Sequence, residues 1–260
     1  MIGRLASVAL GWLIVSGAVA GGTNHLSEAE IQGRQLAQQI LGQKPTDDLT
    51  NKGTLEIRDG GGNRFQVPVM CKTIVTAATW RSLYEANLTN RTVILLVIHA
   101  VDQPNAYFYD TNYTGQVPIL GDIPRLGRLF QSHQISGVTL MSPFTGSDFW
   151  IADLGLEFFH WPEQTILKHE MRRGRSCRVL ESTNPDPSPN GYSRVVSWID
   201  NETLGIVQAE AYDAKGELLK EFYPKSFKKV NGQWELEEMD IRNVQTRSRT
   251  WITFDLSGKS

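Results

Sequence analysis

Cysteine is scarce in this 260-residue chain, with Cys71 and Cys177 the only two. They allow one disulfide in an oxidising compartment, or two buried thiols on separate strands. Their spacing does not say which. An excess of basic charge is also missing. Lysine and arginine total 26 against 28 aspartates and glutamates, a formal net charge of −2, which leaves no basic surplus to hold nucleic acid. Beyond the N-terminus no apolar run is long enough to cross a bilayer. Catalytic signatures are absent as well. There is no Gly-x-Ser-x-Gly elbow, no phosphate-binding glycine loop and no Cys-x-x-Cys. His169-Glu170 has no histidine three residues on, which removes a zincin helix, and His25, His99, His133 and His160 share no metal-ligand spacing. Asp200, Asp213 and Asp240 are expected at or beside turns, where Asx geometry accounts for them without catalysis. No cofactor and no metal is implied, and a hydrolase is disfavoured.

What is present begins with an export signal. Arg4 supplies the positive charge, Val8 to Val15 an apolar stretch, and Ala18-Val19-Ala20 a small-residue cleavage site. Cleavage after Ala20 predicts a soluble mature chain of residues 21–260, read as a single domain in the periplasm. With hydrophobic residues at 40%, a sizeable core is available.

One helix opens the mature chain. Ser27 followed by Glu30 reads as a capping box, and Ile31, Leu36, Ile40 and Leu41 give an apolar stripe before Gly42. Strand and turn follow. Leu55 to Arg58 and Phe65 to Val75 flank Gly60-Gly61-Gly62-Asn63, a turn between strands rather than a phosphate loop. Thr92 to Ile98 is a continuous apolar run, as expected of a strand buried on both faces. Pro118, Gly121, Pro124 and Gly127 punctuate a long loop, and Ser147 or Asp148 is placed to cap a short helix through Leu154. Strands resume at Thr165, and the C-terminal third reads as an antiparallel meander. Its turns fall at Asn201-Glu202-Thr203, Asp213 to Gly216 and Asn231-Gly232. In the last strand Ile252, Phe254 and Leu256 alternate with Trp251, Thr253 and Asp255.

Three stretches stand out: Phe144-Thr145-Gly146-Ser147-Asp148-Phe149-Trp150-Ile151-Ala152-Asp153-Leu154, Tyr192-Ser193-Arg194-Val195-Val196-Ser197-Trp198-Ile199-Asp200, and Glu210 to Lys220. Gly115 to Leu126 adds a Pro-x-x-Gly segment followed by a basic, apolar stretch. In this order, over residues from about 50 to 256, the chain resembles the bacterial outer-membrane lipoprotein-sorting proteins, the LolA-like family. The longer chain and the Gly146-Ser147-Asp148-Phe149 block are similar to a less characterised branch. The resemblance implies a mainly β (α+β) fold: a curved antiparallel sheet forming an incomplete barrel, closed by helices. It implies a non-enzymatic carrier whose concave side takes lipid or lipoprotein acyl chains by the hydrophobic effect. It also implies release to an outer-membrane receptor or an inner-membrane transporter. An alternative within the same fold is a lipid-sensing envelope-stress protein acting through protein contacts. The aromatics Trp80, Trp150, Trp198, Trp234 and Trp251 are candidates either for a lipid cavity or for an ordinary β core. For the ligand wall, Val93, Leu95 and Val97 share one strand face, as do Ile252 and Phe254. These five are the expected ligand-binding residues.

Overall fold

A computed structural model describes residues 26–77, 79–100, 103–113, 134–135, 137–230 and 233–256. The export signal, His25, the Gly115 to Leu126 segment with its expected loop, His133 and the Asn231-Gly232 turn lie outside them.

Helix α1 runs Glu28–Leu41. It starts on the expected box. The Glu30 amide donates to Ser27 Oγ at 3.3 Å, and the Ser27 amide donates to the Glu30 carboxylate at 2.7 Å, so two orphan donors are satisfied reciprocally. Leu36, Ala37 and Ile40 turn inward, whereas Ile31 stays exposed. Gly33 lies so close to the next layer that a Cβ there would overlap the Gln164 carbonyl, and its lack of a side chain lets the helix seat on the strand below.

Among the described residues the strands form one antiparallel sheet of thirteen: β1 Leu49–Arg58, β2 Arg64–Val75, β3 Thr79–Leu88, β4 Arg91–Ala100, β5 Gln103–Tyr113, β6 Gln134–Ile135, β7 Glu163–Arg172, β8 Arg175–Thr183, β9 Tyr192–Asp200, β10 Ile206–Asp213, β11 Leu218–Val230, β12 Gln233–Asn243 and β13 Ser248–Asp255. Their order is β6-β5-β4-β3-β2-β1-β13-β12-β11-β10-β9-β8-β7. The chain enters mid-sheet, meanders out to β6, then returns from β7 until β13 pairs with β1, Gly53 opposite Phe254. β6 and β7 remain unpaired with each other, so the curved sheet is an incomplete barrel.

Residues 137–162 connect those two edges. They carry two 3₁₀ turns, Gly137–Met141 and Glu157–His160, and a one-turn helix α2, Ile151–Leu154. Leu140, Phe144, Phe149, Ile151 and Ala152 of this connection are buried in one cluster with side chains of β1, β2, β4 and β13. The connection therefore packs on the inner face of the sheet. A second cluster joins Leu36 and Ile40 of α1 to Phe158, Phe159, Leu180 and Ile199. The apolar run of β4 is buried on both faces, as its composition requires. Val93, Leu95 and Val97 enter the first cluster, and Ile94 and Leu96 pack with Leu83 on the other side.

Some local expectations are corrected. Helix α2 begins after Trp150, not at Ser147 or Asp148. The Asp153 carboxylate accepts the Trp150 amide at 2.8 Å, while Asp148 is spent on Thr250 of β13. Asp240 sits inside β12, where the Arg249 guanidinium donates to it at 2.8 Å and Lys225 lies 3.6 Å away, rather than at a turn. Asp213 does form the expected turn, accepting the amides of Lys215 and Glu217. Cys71 on β2 and Cys177 on β8 are free thiols.

Candidate functional site

The two arms of the sheet, the connection and the end of α1 line an open-mouthed cavity of about 490 Å³. That lies within the roughly 300–1,000 Å³ typical of small-molecule sites. β3, β4 and β5 contribute one wall, and β9 to β12 the other. On β10 the inward positions are Ala209 and Ala211, two residues apart and therefore on one face. Their small side chains leave the room that Phe222, Met239 and Ile241 border on β11 and β12.

Val93, Leu95, Val97, Ile252 and Phe254 do come together, all in the main buried cluster. None of them lines the cavity. Phe149 and Ile241 belong to both cluster and cavity wall, so the five residues back the wall from behind. Of the tryptophans, Trp80 lines the cavity and stacks on His99, ring centroids 5.0 Å apart. Trp150 stacks on Tyr192 at 4.5 Å. Trp198 packs in a separate cluster with Cys177 and Val179, under the Arg172 guanidinium, and Trp251 lies under Arg249. The side chain of Trp234 is outside the described set.

A buried lysine stands in the wall of the cavity. Lys220 is 2% exposed. Its Nζ donates to the Asp148 carbonyl at 2.7 Å, lies 3.7 Å from Asp153 Oδ2, and sits 3.5 Å from the centre of the Trp150 ring. Asp153 in turn accepts the Tyr192 hydroxyl at 3.0 Å and the Trp150 amide. Burial pulls the Lys220 ammonium down to about 7, opposed by the Asp153 charge. Burial likewise raises Asp153, opposed by Lys220. A carbonyl, a carboxylate and a ring face surround the three N–H bonds, so the amine fastens chain segments rather than offering a free nucleophile. The three stretches singled out in the sequence meet at this point: Asp148, Trp150 and Asp153 from the first, Tyr192 from the second, Lys220 from the third.

The opposite wall is more polar. Ser82 Oγ is 3.1 Å from His99 Nε2, and His99 Nδ1 is 3.0 Å from Asn105 Oδ1. The order resembles nucleophile, base and orienter. Burial, however, pulls His99 down to about 4, which makes it a weak base at neutral pH. Asn105 continues the network, donating to the Gly155 carbonyl at 2.7 Å, and the Tyr107 hydroxyl donates to Glu157 at 2.8 Å. With the Tyr84 hydroxyl on the Leu154 carbonyl at 3.0 Å, these bonds pin residues 154–157 across the wall. Among the described residues no group of three or more His, Cys, Asp or Glu is arranged to hold a metal ion.

Lys220 and Asp153 were not singled out from the sequence as site residues. A signal existed. On β11 the period of two places Lys220, Phe222 and Pro224 on one face, and all three border the cavity. A lysine sharing a strand face with a partly buried phenylalanine needs a partner.

A family model described as "Uncharacterized protein" matches residues 124–256. No curated protein has a sequence that matches this one. Among solved structures, a DUF1329 family protein from Desulfovibrio piger superposes with a TM-score of 0.66 at 18% identity, covering 88% of this chain and 92% of that one. A domain from Vibrio parahaemolyticus assigned to outer membrane lipoprotein sorting gives 0.65 at 20% identity, covering 87% and 91%. A LolA superfamily protein from Nitrosomonas europaea gives 0.56 at 14% identity, covering 88% and 92%. At such identities the likeness is one of fold.

Proposed function

We propose that this chain, which belongs to the family whose model matches residues 124–256 and shares its fold with LolA-like proteins, is a non-enzymatic binding protein that holds an acyl chain of a lipid or lipoprotein. The observation that carries this reading is the cavity of about 490 Å³ with Ala209, Ala211, Phe222, Met239 and Ile241 on its wall. Ten methylenes placed there gain about 8 kcal/mol at about 0.8 kcal/mol each, before the cost of ordering the chain. The hydrogen-bonded polar groups of the wall have their partners within the protein and do not compete for the chain. Arg4, the apolar stretch of residues 8–15 and Ala18-Val19-Ala20 support export to the periplasm, with cleavage before Gly21. A carrier there would deliver its cargo to an outer-membrane receptor or collect it from an inner-membrane transporter.

Two measurements test this. Organic extraction and mass spectrometry of the protein purified from its own periplasm should recover an acyl compound. A fluorescent fatty-acyl probe should bind the wild type, and Ala211→Phe should weaken it. A benzyl group displacing three or four methylenes removes roughly 2–3 kcal/mol, on the order of 50-fold in affinity. An empty extract together with no probe binding by the wild type overturns the reading.

A further inference from the structure

A second cleft, of about 360 Å³, adjoins the apolar cavity. Leu41, Ala100 and His160 line both, so these residues form the boundary between them. The two differ in chemistry. The second cleft is bordered by Arg34, Gln38, Gln103 and Gln164, and by no aspartate or glutamate among the described residues.

Several of its donors are unspent. His160 Nε2 is buried with no hydrogen-bond partner. Burial holds its pKa below the usual histidine range, so the ring is neutral, and Nε2 is a donor in the tautomer that places the proton there. The side chains of Arg34, Gln38 and Gln103 make no hydrogen bond among the described residues, and all three are exposed on the rim. Glu30, one turn before Arg34, is the acid nearest it along the helix, and the Arg34 charge helps to lower its pKa, after the larger effect of the Ser27 hydrogen bonds. Its carboxylate is occupied by the Ser27 amide and hydroxyl at 2.7 Å each. Gln164 differs, since its amide donates to the Phe158 and Trp161 carbonyls and its oxygen accepts from Ser182. A buried polar nitrogen without a partner is costly, and here it sits where an apolar space opens toward the Arg34 guanidinium.

The geometry points to an anionic headgroup site: the Arg34–His160 cleft takes the phosphate or carboxylate of an amphiphile whose chain lies in the adjoining cavity. This rests on the acyl-chain reading above and narrows it to acidic lipids. The guanidinium supplies charge and a planar fork, His160 in its Nε2–H tautomer one buried donor, and Gln38 and Gln103 further donors at the rim.

The test is calorimetric titration of the full mature protein with three chain-matched ligands: dodecyl phosphate, dodecanoate and dodecanol. One or both anions should bind roughly tenfold or more tightly than the alcohol, the size of one hydrogen bond to a charged group. Which anion wins identifies the headgroup, phosphate or carboxylate. The advantage should shrink as salt is raised, because Arg34 is exposed. Arg34→Gln, on the helix surface, should remove most of the advantage and leave dodecanol unchanged. His160→Gln, which keeps a donor, should lose less than His160→Leu. Equal affinity for all three ligands, or an anion preference that survives Arg34→Gln, overturns the headgroup site while the acyl site stands. Binding of none of the three overturns the acyl reading itself.

Discussion

Replacing Lys220 by methionine separates a structural role for this lysine from a spectator one. The change keeps the length of the stem and removes the charge. The Asp148 carbonyl then loses its 2.7 Å donor, and Asp153 loses the cation 3.7 Å away. Asp153 is already raised by burial, with Lys220 the largest influence holding it down, so it rises further. Breaking a buried pair on one side costs about 3–5 kcal/mol, because the remaining charge has no counterion. Domains are stable by about 5–15 kcal/mol, so the loss is about a fifth or more of the total. Asp153→Asn should cost less, since an amide can still accept the Trp150 amide proton. In Lys220→Met/Asp153→Asn neither charge remains, and stability should return to within about 2 kcal/mol of wild type. The assay is urea unfolding followed by tryptophan fluorescence, with the slope m checked for constancy. The pH dependence is a second readout. Lys220 has a folded pKa near 7 against 10.5 when unfolded. The unfolded chain therefore binds more protons across that window, and the Lys220 contribution to stability rises as pH goes from 7 toward 10.5. The methionine variant should lack that rise. A single-variant cost under about 1 kcal/mol, or a double variant equal to the sum of the singles, refutes the coupling.

Most of the sheet was legible from residue order because its signals are local. The capping box fixed the start of α1, and alternation fixed β13, with Ile252 and Phe254 buried and Thr253 and Asp255 exposed. The continuous run of β4 announced burial on both faces. β3 gave no such signal, although its period is intact. Trp80, Ser82 and Tyr84 share the cavity face, and a serine there reads as surface unless His99 is known to face it. Which side of a two-faced apolar strand meets the cavity is not a local property. Val93, Leu95 and Val97 satisfy the pattern of a ligand wall and of a packed core equally well. The crossing of residues 137–162 decides between them, because Phe144, Phe149 and Ile151 fill the space over β4. The Lys220–Asp153 pair was hidden for the same reason. Its partners are 67 residues apart in sequence and meet only when the connection folds across the sheet.

Two further outcomes follow from the walls of the cavity. The His99 pKa is near 4 when folded and 6.5 when unfolded, so the unfolded state takes up the extra proton between those values. The His99 contribution to stability is then present above pH 6.5 and lost as pH falls toward 4, on the order of 3 kcal/mol in all. Asp153 and Glu157, both raised by burial, act in the opposite sense over part of that range, so the measurement is the difference between wild type and His99→Gln, whose acid limb should be shallower. A variant that loses stability with acid as steeply as wild type removes His99 from the account. Phe254 tests the distinction between core and cavity. It is 8% exposed, belongs to the main cluster, and its ring lies over Gly53 of the paired strand, where a Cβ would come within 3.1 Å of it. Phe254→Asp should fail to fold stably. It loses the ring, worth about 3–5 kcal/mol, and buries a carboxylate without a partner. Phe254→Leu keeps an apolar side chain, and should lower stability by about 1–2 kcal/mol while leaving acyl-probe affinity within about twofold of wild type. Ala211→Phe should do the reverse, with binding lost and the fold retained, because its new ring enters open space instead of packed side chains. If Phe254→Leu weakens the probe tenfold at unchanged stability, the inner face of β13 touches the ligand, and the cavity extends through the cluster described as its backing.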